Sequence, residues 1–366
     1  MKRIGITGAT GLLGWHLHSF LRCQKDVAVI TAGRPEFESK EALARFVSSC
    51  DAIAHLAGMN RGDENEVARV NISLTEALIR ACAIARSTPH IVFSSSTHIY
   101  RNTCYARSKT TCTELLKAWA SENHAKFMNL ILPNIFGESG KPFHNSVVST
   151  FCYQLANDQE PKIIEDKEIE ILHAQHVARE MFSIIMESRD GEVAIRGRRM
   201  AVSQLLSKLR HLADLYNKQI IPDIRASEEL DLFNTYRAYL FPQKYPMRLV
   251  VKKDVRGSLF EAVKGLQGGQ TFISTTEPGQ TRGNHYHTLK VERFLVIKGR
   301  ALIRIRKLCT NEIREFAVKG EAPAYIDIPT LHTHNITNTG SGELLTLFWA
   351  SEIFDSNNPD TYQETV

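Results

Sequence analysis

Two groups of residues have the types and spacing to do chemistry. The first has the form G-x5-H-x-H-x4-E-x6-G and runs from Gly279 through His285, His287 and Glu292 to Gly299. Side chains two apart on a strand share a face, so His285 and His287 point the same way, and Glu292 can return beside them. A further imidazole is available in Pro329-Thr330-Leu331-His332-Thr333-His334, where His334 can enter from an opposite strand. Three nitrogens and one carboxylate oxygen suit a divalent first-row metal, zinc first. His332, two residues before His334, could be a fifth neighbour, a general base or a surface residue, and reads first as the last. The second group is Ser94-Ser95-Ser96 followed by Tyr105-Ala106-Arg107-Ser108-Lys109. Tyr105 and Lys109 lie one helical turn apart, so the ammonium can lower the pKa of the phenol electrostatically. A phenol so placed can donate a proton to a carbonyl oxygen that a serine hydroxyl fixes.

The elements that must position the second group begin at Arg3-Ile4-Gly5-Ile6-Thr7, which reads as a buried strand. Gly8-Ala9-Thr10-Gly11-Leu12-Leu13-Gly14 follows and leads into a helical pattern from Trp15 to Leu21. A glycine-rich turn between strand and helix lets backbone N–H groups approach a pyrophosphate, which also gains from the helix dipole. After a second strand, Val27 to Thr31, comes Ala32-Gly33-Arg34. An acid here would bind the ribose hydroxyls of NAD, whereas Arg34 can pair with a 2′-phosphate, so NADP(H) is expected.

The G-x-x-G-x-x-G spacing resembles the short-chain dehydrogenase/reductase superfamily, in its extended nucleotide-sugar branch. Asp51-Ala52-Ile53-Ala54-His55-Leu56-Ala57-Gly58 is similar to that family's D-x-x-x-H-L-A-[AG] strand. The resemblance puts Asp51 near the adenine and the Leu56-Ala57-Gly58 end under the nicotinamide ribose. Asn71 and Thr75 resemble its N-x-x-x-T helix, and Asn71 joins the residues expected around the cofactor. The family pattern F-S-S-S assigns the substrate-fixing serine to Ser96, with Ser95 as runner-up, and has Tyr105 and Lys109 contact the cofactor as well as carry the catalysis. Only eight residues separate Ser96 from Tyr105, and Ala106 stands where the family has glycine, so the substrate side of the pocket is expected to be unusual. Leu132-Pro133-Asn134-Ile135-Phe136-Gly137 resembles the family's segment towards substrate, and Asn134 and Asn145 are carried over as substrate contacts. His173 and His176 stand where relatives have H-V-D-D-V-A, and read as cap or packing residues.

At 366 residues the chain is long enough for two domains, and 43% hydrophobic content is that of a globular protein. No apolar run is long enough to cross a membrane, and the N-terminus offers no signal peptide. Seven cysteines without paired spacing fit a reducing compartment, so a cytoplasmic location is expected. The net charge of +5 is spread along the chain, which argues against nucleic acid.

Phe241-Pro242-Gln243-Lys244-Tyr245-Pro246 reads as a linker, dividing a reductase domain over 1–243 from a second domain over 247–366. From Arg248 on, short alternating strands replace the βα rhythm, as in a small antiparallel barrel. The two histidine motifs resemble those of the cupin superfamily, departing only at Leu331, where the family has glycine, so a differently shaped turn is expected there. Asp254 to Glu261 and the stretch from Thr281 to His287 resemble metal-free deoxysugar 3,5-epimerases. That resemblance carries Arg256 and Arg282 over as substrate contacts and gives His285 a second possible job as base. His287 in place of their glutamine, with Glu292 and His334, favours a metal ligand and leaves the base unassigned.

The expected fold is therefore a Rossmann-type α/β extended short-chain dehydrogenase/reductase domain followed by an all-β cupin, or jelly-roll, domain. Over nearly the whole chain the sequence resembles the bifunctional capsular-polysaccharide enzymes of UDP-N-acetyl-L-fucosamine synthesis, in stretches such as Gly283-Asn284-His285 and Phe354 to Tyr362. The resemblance implies C3 epimerisation of a UDP-linked 4-keto-6-deoxy-N-acetyl sugar by the cupin, NADPH-dependent reduction at C4 by the first domain, and a homodimer. The alternatives are a reductase whose cupin serves only dimerisation or substrate recognition, and a non-enzymatic NADP(H) sensor.

Overall fold

The computed structural model describes residues 1–366. The chain divides into two compact units, one of residues 1–150 and 165–202, the other of residues 151–164 and 203–366.

In the first unit, strands β1 (Lys2–Thr7), β2 (Val27–Ala32), β3 (Ala52–His55), β4 (His90–Ser96) and β5 (Phe127–Leu132) form a parallel sheet in the order β2-β1-β3-β4-β5, extended by Gly191–Ala194. The order reverses between β1 and β3, which opens a crevice at the carboxyl ends of those strands, the usual ligand position in such sheets. Both faces of the sheet are covered, so its strands are apolar on both sides. Ile4, Ile6 and Val92 pack with Leu17 and Leu21 of helix α1 (Leu12–Arg22) and with Met181 and Ile185 of the helix Ala174–Glu187. Ile53, Ile91 and Phe93 face the other way, onto Leu78 of the helix Glu64–Ala85 and Leu116 and Trp119 of the helix Cys104–Glu122.

The second unit contains two five-stranded antiparallel sheets. One is ordered Met247–Arg248, Ala324–Ile328, Glu292–Lys298, Leu344–Ala350 and Gln270–Thr276. The other is ordered Ile313–Lys319, Arg300–Lys307, His332–Asn338, Thr281–Tyr286 and Tyr362–Gln363. The helix Ser227–Leu240 and all but the first residue of the helix Val202–Asn217 belong to this unit. Asn234 donates to the carbonyl of Leu289, and Arg237 to that of Ile328.

A buried ion pair fastens this packing. Arg293 donates twice to Asp327, at 2.7 and 2.8 Å, and both side chains are 1% exposed or less. The guanidinium lies 3.5 Å over the ring of Tyr325, and Tyr216 donates to the same carboxylate. Burial pushes the Asp327 carboxyl up, but the charge and hydrogen bonds of Arg293 outweigh it and hold the group below its ordinary value. Removing one partner leaves the other charged in a dry site, so Asp327→Ala should destabilise this unit by roughly 3–5 kcal/mol. Denaturant titration followed by circular dichroism measures the loss.

Leu331 has φ 59°, the left-handed region that glycine enters freely, and its side chain is fully buried. The turn before His334 thus takes a glycine-type conformation with a leucine in it, at a cost of roughly 1–2 kcal/mol that burial of the side chain offsets.

Candidate functional site

The carboxyl end of β1 is where the first site is built. Gly8 has φ 72°, and a Cβ there would meet the backbone nitrogen of Ala57 at 2.7 Å. A Cβ on Gly14 would meet the Gly8 carbonyl at 2.1 Å, so the turn closes this tightly only with glycine at both positions. Thr7 Oγ1 accepts the backbone N–H groups of Leu56 and Ala57, both at 3.1 Å. His55 Nδ1 lies 2.8 Å from the same hydroxyl and its Nε2 3.3 Å from Thr75, and burial lowers its pKa to about 3, keeping it neutral. These contacts lock the ends of β1 and β3 side by side.

The turn opens onto a cavity of about 740 Å³. Gly8, Thr10, Gly11, Leu12, Leu13 and Gly14 line one side, and Leu56 and Gly58 the floor. Ser96, Tyr105, Lys109, Asn134 and Asn145 are among the residues that line the rest. Gly11, which caps α1, offers no side chain to the first-turn N–H groups, leaving them for an anionic ligand. The residues therefore fit a dinucleotide cofactor.

Thr103 caps the helix Cys104–Glu122 and brings Tyr105 and Lys109 to the cavity wall. Lys109 Nζ donates to the carbonyl of Ser94 at 2.8 Å and stands 4.6 Å from the ring centre of Phe93. Burial lowers its pKa to about 8. The Tyr105 phenol is pushed up by burial, opposed by a hydrogen bond with Ser96. The expected lowering by Lys109 is not what the structure has, because burial dominates at the tyrosine and the ammonium is engaged with Ser94. A raised phenol pKa keeps Tyr105 in its acid form, as a proton donor requires. Ser96 lines the cavity with Tyr105 and acts on its phenol, whereas Ser95 Oγ is buried without a partner, so Ser96 is the better placed serine to act with the tyrosine. Because Lys109 in the free protein is charged only below about pH 8, the second-order rate constant with NADPH should be flat near neutrality and fall roughly tenfold per pH unit above that point. A pH profile of initial rates checks this.

Other residues expected at the cofactor lie elsewhere or act indirectly. Asp51 precedes β3, at the amino end, about 13 Å of strand away from the crevice. Its carboxylate is held by Arg3, which donates at 2.6 Å and lowers its pKa. Asn71 is 4% exposed, accepts from the Met59 N–H at 2.7 Å and donates to the Met59 carbonyl and to Ser108. It fixes the loop after Gly58 rather than lining the cavity. Arg34 is exposed at the start of the helix Arg34–Glu38, beyond the carboxyl end of β2. Asn134 donates to the Glu170 carbonyl and Asn145 to that of Asn60.

One feature of the cavity wall has no signature in the sequence. Glu138, 2% exposed, lies 2.9 Å from His173 Nε2, and its backbone carbonyl is 3.0 Å from His16 Nε2. Residues Ser139, Gly140 and Lys141, which follow it, line the cavity. His173 also caps the helix Ala174–Glu187 by accepting from the Gln175 N–H, the role read for it from sequence. Glu138, through its carboxylate to His173 and its carbonyl to His16, thereby pins the wall to both flanking helices.

The second site lies in the β-rich unit. His285 and His334 are direct cross-strand partners, and Glu292 opens the strand Glu292–Lys298. Ligand atoms of His285, His287, Glu292 and His334 lie within 4.8 Å of one another. Glu292 Oε2 is 3.0 Å from His287 Nε2 and 3.1 Å from His334 Nε2. Burial would raise the Glu292 pKa, but the hydrogen bonds with His285, His287 and His334 outweigh it and hold it well below its ordinary value. Burial lowers His334 to about 4, which leaves a neutral imidazole able to ligate. Three imidazoles converging on one ionised carboxylate fit a divalent cation. His332 departs from its reading as a surface residue. It is 8% exposed, its Nδ1 is 2.8 Å from the Thr330 carbonyl, and its ring packs on Phe241, because it shares the inward face of its strand with His334. Arg256 pairs with Asp254 in an exposed hairpin, and Arg282 donates to Thr275 and Thr276.

Comparison with known proteins agrees with this architecture. The NAD dependent epimerase/dehydratase family matches residues 4–195, and the polysaccharide biosynthesis C-terminal domain matches residues 252–362. The chain is 29% identical over 369 residues to UDP-2-acetamido-2,6-beta-L-arabino-hexul-4-ose reductase of Pseudomonas aeruginosa, covering 100% of this chain and 99% of that one. The structure of capsular polysaccharide assembling protein CapF from Staphylococcus aureus superimposes with TM-score 0.64 at 31% identity, covering 99% of this chain and 100% of that one. RMD from Pseudomonas aeruginosa, solved with NADPH, shares the fold of the first part at 19% identity and TM-score 0.53, covering 58% of this chain and 85% of that one. With a glycine-turn cavity holding serine, tyrosine and lysine, and a cupin-type barrel after it, the chain belongs to the NAD dependent epimerase/dehydratase family, as one of the bifunctional capsular-polysaccharide enzymes that join such a domain to a C-terminal cupin.

Proposed function

We propose that this chain is a bifunctional nucleotide-sugar enzyme of capsule or O-antigen synthesis. A cupin domain over 247–366 epimerises C3 of a UDP-2-acetamido-2,6-dideoxy-4-hexulose. The Rossmann-type reductase domain then reduces the C4 ketone with NADPH, giving UDP-2-acetamido-2,6-dideoxy-L-talose. The observation that carries the reading is the meeting of Ser96, Tyr105 and Lys109 with the glycine-rich turn in one cavity. The substrate named for the Pseudomonas aeruginosa relative supports the sugar class.

The order of steps follows from the chemistry. The C3 proton is acidic only while C4 is a ketone, so epimerisation precedes reduction. In the reduction the bound cofactor supplies the hydride to C4. Ser96 fixes the ketone oxygen, and Tyr105 delivers its proton to that oxygen as the C4–H bond forms. Lys109 holds the nicotinamide ribose, the turn Gly8–Gly14 holds the pyrophosphate, and Arg34 meets the 2′-phosphate. Asn134 and Asn145 contact the sugar nucleotide. In the barrel, His285, His287, Glu292 and His334 would hold a divalent metal, zinc first, and such an ion would polarise the neighbouring ketone. No helix is long and apolar enough to cross a membrane, which accords with work on a dissolved nucleotide sugar in the cytoplasm. Phe272 and Ile273, 39% and 65% exposed on the edge strand Gln270–Thr276, support a homodimer formed through the barrel.

The test mixes wild-type enzyme, NADPH and the UDP-4-hexulose. One equivalent of NADPH oxidised per C4 alcohol, identified by NMR, is the expected result, and no oxidation with any C3 epimer of the ketone overturns the reading.

A further inference from the structure

The segment Pro359–Glu364 lies across the strand that carries His285 and makes contacts that the proposed chemistry does not use. Gln363 pairs with His285, and Tyr362 with Tyr286, whose ring it stacks on at 5.4 Å. Asp360 is the centre of this strap. Its Oδ1 accepts from the Thr288 N–H at 2.9 Å and from the Thr288 hydroxyl at 2.6 Å. Its Oδ2 accepts from the N–H groups of Leu289 and Lys290, at 2.9 and 2.8 Å. The whole turn after His287 is therefore organised by one carboxylate, and Asp360 itself holds φ 39° to reach it.

The same residue touches the histidine. The Asp360 backbone carbonyl lies 2.7 Å from His287 Nδ1 and can only accept, so Nδ1 carries a proton and Nε2, 3.0 Å from Glu292 Oε2, is the nitrogen left to ligate a cation shared with that carboxylate. A ligating imidazole needs this tautomer, and the partner of its second nitrogen fixes both tautomer and ring orientation. For His334 the carbonyl comes from His332 in its own strand, at 3.2 Å. For His287 it comes from a segment 73 residues further along the chain.

We propose that Asp360 is a positioning residue for the metal centre. Its carboxylate holds the turn 288–290, its carbonyl sets the tautomer of His287, and the cation affinity of the four-residue cluster depends on it. This rests on the reading of His285, His287, Glu292 and His334 as a divalent-cation site.

The test measures zinc affinity by competition with a chromophoric chelator, on the full chain stripped of metal, for wild type, Asp360→Ala and Glu364→Gln. Glu364 anchors the same strap through Arg306, away from His287. Asp360→Ala should weaken zinc roughly 10–100-fold, with Glu364→Gln within about twofold of wild type. A cobalt-loaded sample of Asp360→Ala should also show an altered d–d spectrum. Unchanged affinity and spectrum in Asp360→Ala, or equal weakening in both variants, overturns the positioning role while the cation site stands. Failure of wild type to bind zinc or cobalt overturns the site reading and the inference with it.

Discussion

Tyr105→Phe should slow NADPH oxidation by roughly 10²–10⁴-fold, the usual contribution of a positioned general acid, while leaving cofactor affinity within a few-fold. The ring stays, so the cavity wall keeps its shape. What is lost is the proton that must reach the ketone oxygen as hydride reaches C4. Burial holds the phenol in its acid form, and Ser96 stands with it in the cavity wall. Stopped-flow absorbance with the UDP-4-hexulose measures the rate, and fluorescence titration measures NADPH binding. A variant that loses cofactor affinity and rate together would show that Tyr105 serves binding instead. The β-rich unit, with its own network around Arg293 and Asp327, is untouched by this change.

Glu292→Ala has the opposite signature. The carboxylate is the common partner of His287 and His334, and the only group in the cluster that brings negative charge to offset a divalent cation. Its loss should drop bound zinc from about one per chain to near zero. Hydrogen exchange at C3 should fall by roughly 10²-fold or more, since several kcal/mol of charge stabilisation are removed. Reduction of a ketone already in the epimerised configuration should persist. Metal analysis of purified protein and NMR of recovered sugar measure the two effects. Zinc loss with undiminished C3 exchange would make the cluster structural.

Much of this was legible in the sequence because the motifs are local. The turn Gly8–Gly14, the Tyr105–Lys109 pair and the His285-x-His287 pair are each set by a single strand or helical turn, so residue spacing alone predicts what meets. Strand ends were harder. Asp51 belongs to a motif whose other end, Leu56-Ala57-Gly58, does reach the crevice, but a strand has two ends and Asp51 occupies the far one, with Arg3. Burial was harder still. His332 looked like a surface residue because its inward partner, Phe241, is 91 positions away in sequence. The Thr7–His55–Thr75 lock, the Glu138 contact with His173 and the Asp360 strap all join residues separated by 20 to 73 positions, and no local pattern marks them. The helices 202–217 and 227–240 read as part of the first domain because they continue its helical rhythm, yet they pack with the barrel through Tyr216, Asn234 and Arg237. A truncation near Tyr245 would strip those partners from Asp327 and Ile328, so point variants divide the two activities more cleanly.

The most direct experiment incubates Tyr105→Phe with the UDP-4-hexulose in D2O and reads deuterium at C3 by NMR while absorbance follows NADPH. Deuterium at C3 with almost no NADPH consumed is the expected result, because the proposed function assigns epimerisation to the barrel and reduction to the cavity of Ser96, Tyr105 and Lys109. An unlabelled C3 in this variant and in wild type alike would contradict the division of labour and leave the chain a reductase alone.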